Sequence, residues 1–308
     1  MRRYRPVQPP TLQKPDWPDR YHYHEYLPSE RLANYVACYW TSQFHGQSTP
    51  QFHGQSTPQF HGQSTPHLHR VIPDGCVDII FDLQAGTFAS GAFVTGLMTS
   101  YEVMPLAGPQ SMFGIRFFVE EADRFFRFPV AEVSAAHVFL QDLWGMEALW
   151  AMERILEAAN TAERIARVEQ MLMQCLNRDR PPTNSLLLTS MQYMYEQRGT
   201  LSIAALADKV AYSERNVRRL FQQAFGVGPK ELMRIIQFQS LLQMLSRNQA
   251  VPFVEAALQC GYYDQSHVIK SFRSFYGEPP SGVFAQPQRT GVQVQQSPEA
   301  VRFLQSGN

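Results

Sequence analysis

The sequence predicts an α+β protein, in which a small β-rich, barrel-like domain with a helical hairpin precedes an all-α domain. Three observations support this fold class. Short runs of β-branched and aromatic residues, separated by Gly and Pro, fill residues 21–130. A helical period begins near residue 143, and residues 205–229 are repeated in pattern 51 residues later. The length of 308 residues is long for one compact domain and suits two.

Both ends of the chain are predicted to lie outside the folded domains. Residues 1–20 are rich in Pro and charge and read as a disordered arm, and residues 287–308 read as a disordered tail. The N-terminal arginines have no apolar segment behind them, and no run of eighteen apolar residues occurs. We therefore expect a cytoplasmic protein without a membrane partner.

The β-rich domain is predicted over residues 21–177. The segments VDIIFDL, AFVTGL and SMFGIRFF are typical of short antiparallel strands. PDGCVD, at residues 73–78, has a Pro-Asp-Gly turn directly before a strand. Helical spacing then extends from Leu143 to Leu176, with Asn160 as a cap between two helices and Glu163 as its N3 partner. We favour packing of this hairpin on the β-domain over the alternative, a dimer interface.

Residues 43–66 are three identical copies of QFHGQSTP. Such a composition cannot bury enough apolar surface to order itself, so we predict a disordered surface loop. The histidines that raise the question of a metal site are His45, His53, His61, His67 and His69. No acidic residue or cysteine accompanies them in the repeat, and we expect no metal site and no cofactor.

Net charge and cysteine usage narrow the functional classes only slightly. The 27 basic and 27 acidic residues cancel, although residues 183–286 carry a net charge of +3 and residues 1–182 one of −4. This small excess permits nucleic-acid binding without establishing it. The four cysteines contain no CxxC pair, which argues against a zinc ribbon or a disulfide framework.

An all-α domain is predicted over residues 186–286, after a Pro-containing linker at residues 178–185. Ser202 caps a short helix, Ala211 and Tyr212 form a turn, and Ser213 caps the helix ERNVRRLFQQAF. Two short helices joined in this way form a helix-turn-helix. One face of the second helix is apolar, and the opposite face holds Arg215, Arg218, Arg219 and Gln222.

The same pattern returns after a long intervening helix. Pro252 is predicted at the first position of a helix, Gly261 at the turn and Asp264 at the next N-cap. The residues predicted to face outward are Gln265, Ser266, Ile269, Lys270 and Arg273. The helix between the units, PKELMRIIQFQSLLQML, would be roughly 25 Å long at 1.5 Å per residue. A rod of this length suits two recognition helices in successive major grooves, about 34 Å apart per turn.

These motifs, LADKVAYSERNVRRLFQQAFGVGPKELM and ALQCGYYDQSHVIKSFRSFYGEPPS, resemble the DNA-binding domain of the AraC/XylS family of transcription regulators. The resemblance implies that double-stranded DNA is the partner and that Tyr263 is an extra residue in the second turn. It places DNA contacts at Arg215, Arg218, Arg219, Gln265, Ser266 and Lys270, with His267 and Arg273 alongside. Three positions depart from the family pattern, namely Ala211 for a turn glycine, Gly228 for a hydroxyl cap and Val283 for an aromatic residue.

The N-terminal half also resembles the β-rich sensor domains of one branch of that family, through IPDGCVDIIFD, FGIRFF and DLWG. The resemblance implies a small effector bound by this domain, or a role in forming a homodimer, with RNA polymerase as a further candidate partner. The aromatic residues that could line an effector pocket are Tyr101, Phe113, Phe117 and Phe118, although we favour a plain core role for them.

Two other classes of function stay open at this point. An enzyme with Cys76 as nucleophile and His67 or His69 as base is conceivable, but a buried cysteine after a turn is the simpler interpretation, and we expect no enzyme. An architectural DNA-binding protein without effector control is the other. It would show a low ratio of specific to non-specific affinity.

Overall fold

A computed structural model of the chain describes residues 4–12, 21–45, 67–106, 108–126, 128–133, 137–177, 184–247 and 251–284. A short helix, α1 (Pro9–Leu12), precedes the strands, which all lie in the first half of the chain, and helices form the C-terminal half. The predicted α+β class, a β-rich domain followed by a helical region, is confirmed.

The β-rich domain is built on a six-stranded antiparallel sheet. Its strands, in spatial order, are β1 (Tyr21–Tyr26), β2 (Val36–Phe44), β7 (Gln110–Phe118), β4 (Cys76–Asp82), β5 (Ala92–Thr95) and β8 (His137–Phe139). A separate antiparallel pair consists of β3 (His67–Val71) and β6 (Glu102–Leu106). Because side chains alternate along a strand, partners such as Ile79 and Ile115 bury one face of the large sheet, whereas Asp78 and Arg116 share the other.

For this domain the predicted turn is confirmed, whereas the predicted loop begins too early in the chain. Gly75 has a φ of +70°, and the Asp74 carboxylate accepts a hydrogen bond from the Cys76 N–H at 3.0 Å, so the turn stands directly before β4 as predicted. The loop predicted to begin at residue 43 is wrong at its start, because β2 continues to Phe44, whose ring is buried beside Tyr21. Residues 46–66 lie outside the described ranges.

The helical hairpin follows β8 as α2 (Leu140–Trp144), α3 (Met146–Leu156) and α4 (Thr161–Leu176). The Asn160 side chain accepts a hydrogen bond from the Glu163 N–H at 3.0 Å, which is the predicted cap. Met152 of α3 and Val168 of α4 are buried in the same core as the sheet. The hairpin therefore packs on the β-domain, as we favoured. Of the aromatic residues considered for a pocket, Phe113, Phe117 and Phe118 are also buried in this core.

The C-terminal region consists of α5 (Ser185–Glu196), α6 (Ile203–Val210), α7 (Glu214–Phe225), α8 (Pro229–Arg247), α9 (Phe253–Gln259), α10 (Gln265–Phe275) and α11 (Pro280–Phe284). Two boundaries differ from prediction. Pro252 is the N-cap of α9 and not its first residue, and Asn184 already caps α5, so the linker ends before residue 184. Residues 178–183 and 285–308, which include most of the linker and the whole predicted tail, lie outside the described ranges.

The two regions share one hydrophobic core. Leu187 and Met191 of α5 and Leu232 of α8 belong to the same buried cluster as the sheet residues. A second cluster surrounds Phe238 and Phe272 in the C-terminal region. Burial of apolar side chains from both regions in one cluster fixes them against each other. The linker therefore does not separate two independent bodies.

A polar contact joins β3 to the segment between α10 and α11. The Arg70 guanidinium lies 2.6 Å from the Glu278 carboxylate, 4.9 Å from the centroid of the Tyr276 ring and 5.8 Å from that of Tyr101. Gly277 lies so close to Tyr101 that an added Cβ would be 2.5 Å from a ring atom. Tyr101 thus lies at the boundary between the two regions.

The prediction of a disordered arm over residues 1–20 is wrong for residues 4–12. Residues 4–8, which we call the N-terminal strap, lie between the two regions, with Tyr4, Val7 and Gln8 buried, and α1 follows them. The reason is long-range hydrogen bonding. The Gln8 amide bonds both backbone groups of Ile72, and the Tyr4 hydroxyl donates to the Asp74 carbonyl. Residues 1–3 and 13–20 lie outside the described ranges.

Candidate nucleic-acid interface

Two helix-turn-helix units are present at the predicted places. In the first, Ala211 ends α6 in the left-handed conformation, at φ +57° and ψ +40°. In the second, Gly261 occupies the turn at φ +78°. Ser213 and Asp264 cap the following helices by accepting hydrogen bonds from the N–H groups of Asn216 and His267. The conformation of Ala211 costs on the order of 1 kcal/mol, because its Cβ crowds the backbone there.

Helix α7 has two chemically distinct faces. Val217, Phe221 and Phe225 are buried against the core. The side chains on the opposite face are all exposed, as the spacing predicted, and they are Arg215, Arg218, Arg219 and Gln222. Three guanidinium groups and one amide therefore stand on one solvent-exposed helix face.

Two members of this face have partners within their own helix. The Arg218 guanidinium lies 2.8 Å from the Glu214 carboxylate, one turn earlier. The Gln222 amide donates to the carbonyl of Gly226 at 2.8 Å, where the helix ends. Arg218 has therefore to exchange an exposed carboxylate for any external acceptor, an exchange that costs little because exposed ion pairs are weak.

Helix α10 presents a smaller open surface than predicted. Ser266, Lys270 and Arg273 are exposed, whereas Gln265, His267 and Ile269 are half-buried. The His267 ring packs at 4.9 Å from the ring of Tyr262, which is buried. The structure thus brings three of the five predicted polar contacts fully to the surface in this unit.

Helix α8 fixes the two units relative to each other. It has 19 residues, hence a length of about 28 Å at 1.5 Å per residue. The Phe238 ring on this helix lies 5.0 Å from Phe272 of α10, and Leu232 shares a core with Phe221 of α7. Helices α7 and α10 therefore both pack on α8.

The β-domain contains a buried charged cluster that was not predicted. Arg116, only 4% exposed, makes contacts of 3.1 Å with Asp74 and Asp78 and of 3.5 Å with Glu25, and the Trp40 indole N–H donates to Asp78 at 2.9 Å. Burial raises the pKa of Asp78, and the Asp74 charge adds to this, while Arg116 lowers it. The alternation in PDGCVDIIFD places Asp74, Cys76 and Asp78 two residues apart, and this was the only hint in the sequence.

The geometry does not support Cys76 as a nucleophile. Burial raises the pKa of its thiol, and the nearby Asp74 carboxylate adds to this, so the reactive thiolate is disfavoured. Burial lowers the pKa of His69 to about 4, and its ring lies 3.2 Å from the Tyr21 hydroxyl. Among the described residues there is also no group of three or more His, Cys, Asp or Glu that could hold a metal ion.

Comparison with known proteins agrees with these two regions. A helix-turn-helix domain family matches residues 206–286, over both units and the helix between them. Residues 206–286 are thus similar to helix-turn-helix domains of the AraC type. The match begins within α6 and ends just after α11, so it includes α7, α8 and α10. A domain of unknown function, DUF6597, matches residues 24–139.

Two individual proteins resemble the chain. An uncharacterized HTH-type transcriptional regulator of Haemophilus influenzae is 28% identical over 114 residues, which cover 37% of this chain and 36% of the relative. The chain thus matches about a third of that relative's length. A crystal structure of an apo ToxT variant from Vibrio cholerae covers 85% of this chain and 95% of its own, with 11% identity and a TM-score of 0.38, a likeness too low to bear on the arrangement of the domains. None of the described helices is long and apolar enough to span a membrane.

Proposed function

We propose that the protein is a sequence-specific DNA-binding transcription regulator that responds to a small effector. The observation that supports DNA binding best is the pair of exposed polar helix faces, on α7 and α10, packed on one rigid helix of an AraC-type domain. The HTH-type regulator of Haemophilus influenzae points the same way.

The polar face of α7 suits the major groove. A guanidinium fork bonds O6 and N7 of guanine through two parallel hydrogen bonds, and an amide such as that of Gln222 bonds N6 and N7 of adenine. Arg215, Arg218 and Arg219 are therefore the candidates for base reading or phosphate contact in the first unit. In the second unit Lys270 and Arg273 supply the positive charge that approaches phosphates.

The length of α8 suits two contacts on one side of the duplex. Its span of about 28 Å is somewhat less than the rise of one turn of B-DNA, about 34 Å, and both recognition helices, α7 and α10, pack on it. We infer that one chain inserts α7 and α10 into successive major grooves. One protein molecule would then read two half-sites.

Effector control rests on the route from the β-domain to α8. The Asp74 carboxylate contacts Arg116 in the charged cluster and also accepts a hydrogen bond from the Gln8 amide of the strap. The strap in turn bonds Gln239 of α8 through Val7. A small molecule that rearranges the Arg116 cluster would therefore act on the helix that holds both recognition helices.

Other features of the function follow from the regulator class alone. We propose that the protein acts in the cytoplasm, without a membrane partner and without catalysis. RNA polymerase and a second copy of the chain are further proposed partners.

The deciding experiment is selection of bound duplexes from a randomised pool by the full-length protein at physiological salt, followed by footprinting. We expect two protected major-groove patches about one helical turn apart, each with enriched bases. One enriched patch would show that only one unit reads bases. A specific-to-non-specific affinity ratio near one would instead indicate an architectural DNA-binding protein.

Substitution of Arg218 separates base reading from phosphate contact. Arg218→Ala is expected to weaken binding to the selected duplex by about 1–3 kcal/mol and to relax selection at one base pair. If Arg218 only contacts a phosphate, all sequences weaken alike and the salt slope falls by about one. Glu214→Gln is the matched variant, since it frees the same guanidinium without removing it and is expected to strengthen binding.

A further inference from the structure

Both recognition helices are preceded by an exposed tyrosine. Tyr212 stands directly before the N-cap Ser213 of α7, and Tyr263 directly before the N-cap Asp264 of α10. Their exposed fractions are 51% and 87%, and Tyr263 is the most exposed large hydrophobic side chain among the described residues. The two tyrosines are 51 residues apart, the offset of the repeated unit.

The spacing from each tyrosine to the polar face that follows is the same in both units. Counting three, seven and ten residues from Tyr212 leads to Arg215, Arg219 and Gln222. The same steps from Tyr263 lead to Ser266, Lys270 and Arg273. All six of these polar residues are exposed. Each tyrosine therefore stands at the N-terminal end of a polar stripe at helical spacing.

Packing within the chain does not account for Tyr263. An apolar residue at this position often packs on the fourth residue of the helix, which is Val217 in α7 and Val268 in α10. Both valines are already fully buried. A side chain that remains 87% exposed removes almost no apolar surface from water, so its contribution to folding by burial is small.

We propose that the Tyr263 hydroxyl, and that of Tyr212 in the first unit, donates a hydrogen bond to a DNA phosphate beside the groove that the following helix enters. This rests on the proposed function. Tyrosine is among the side chains that contact phosphates and so fix the register of a protein on the duplex. In the second unit the neighbouring Asp264 carboxylate accepts the His267 N–H at the start of α10 and has no proton to donate to a phosphate, whereas the Tyr263 hydroxyl has one.

An uncharged donor has a different signature from a lysine or an arginine. A phosphate contact made by a cation displaces a bound counterion and steepens the salt dependence of binding, whereas a hydroxyl displaces none. A phosphate contact also reads no base. Loss of the Tyr263 hydroxyl should thus lower affinity while leaving both the salt slope and the sequence preference unchanged.

The test uses the full-length protein and its selected duplex, with Tyr263→Phe, Tyr212→Phe and Lys270→Ala compared at several salt concentrations. We expect each Tyr→Phe variant to bind about three- to tenfold more weakly with the wild-type salt slope, and Lys270→Ala to lose about one from that slope. Phe88→Ala, at an exposed aromatic position of the β-domain, is the control for surface effects and should bind as the wild type does. Circular dichroism and thermal unfolding verify that each variant is folded.

Three outcomes would overturn the proposal. Wild-type affinity in Tyr263→Phe would show that the hydroxyl makes no contact, even if Tyr263→Ala binds weakly through loss of the ring. An altered base preference would show base reading instead of phosphate contact. Absence of sequence-specific binding by the wild-type protein would refute the proposed function and this inference together, whereas specific binding with unaffected Tyr→Phe variants would refute the inference alone.

Discussion

Gln239 of α8 holds the main chain of Val7 through both ends of its side-chain amide. The Val7 N–H donates to Gln239 Oε1 at 2.7 Å, and Gln239 Nε2 donates to the Val7 carbonyl at 3.1 Å. The same nitrogen also donates to the carbonyl of Pro73 at 2.8 Å. One buried amide thus joins the long helix, the N-terminal strap and the segment that precedes β4.

Replacing this amide should cost more than an ordinary surface change. Gln239→Leu leaves the Val7 N–H and the carbonyls of Val7 and Pro73 buried without these partners, so we expect the free energy of unfolding to fall by about 3 kcal/mol. Equilibrium unfolding in urea measures this free energy for the wild type and the variant. Gln243→Leu is the matched control, because Gln243 is only half-buried and makes one solvent-exposed bond, to the Arg5 carbonyl, so the change should alter stability by less than about 0.5 kcal/mol. Equal losses in the two variants would contradict a special role for Gln239.

What the sequence predicted and what it missed differ in the range of the interactions involved. The caps at Ser213 and Asp264 and the polar face of α7 were predictable because the groups concerned are three to seven residues apart. The buried position of the N-terminal strap was not predictable, since Val7 and its partner Gln239 are 232 residues apart. Proline and charge at the N-terminus are typical of disorder. No local sequence feature shows that residues far along the chain supply hydrogen-bond partners for that segment.

The charged cluster was missed for a related reason. Arg116 and Asp78 come together because β7 and β4 pair in a particular register, which no short segment of sequence determines. The exposure of Tyr263 likewise depends on how α10 packs, although its position before a cap was readable. The DNA-facing residues themselves remain a prediction that the binding experiments above address.

Gly277 should tolerate no side chain while Tyr101 is present. Its φ is +86°, and an added Cβ would lie 2.5 Å from the Tyr101 ring. We expect Gly277→Ala to lower the free energy of unfolding by about 2 kcal/mol or more, from backbone strain and from the clash together. In a Tyr101→Ala background only the strain remains, so the added loss should be about 1 kcal/mol. Gly108→Ala is the control, because an added Cβ at this position would meet no heavy atom within 4 Å beyond the adjacent residues. It should be nearly neutral.

The turn of the first unit should be improved by glycine. Ala211 has a φ of +57°, in the left-handed region that disfavours a Cβ. Ala211→Gly is expected to raise the free energy of unfolding by about 0.5–1 kcal/mol, because the relief of strain exceeds the added entropy of the unfolded chain. The matched reverse change is Gly226→Ala at the end of α7, where φ is +74°. This substitution should lower the free energy of unfolding by about 1 kcal/mol. Changes of the same sign in both variants would contradict the strain argument.

His69 should make the protein sensitive to acid. Burial lowers its pKa from 6.5 to about 4, so the unfolded chain binds a proton on this side chain at a pH where the folded protein does not. The stability that depends on neutral His69 is therefore fully present above pH 6.5 and is lost as the pH falls toward 4. At pH 5 the loss attributable to this residue should be about 2 kcal/mol. His69→Gln, which keeps a polar atom near the Tyr21 hydroxyl, should remove that part of the acid dependence. Urea unfolding of the wild type and of His69→Gln at pH 8 and pH 5 measures the fall in the free energy of unfolding for each protein. The difference between the two proteins at pH 8 is the baseline. Parallel losses in the two proteins would show that His69 does not titrate between these states.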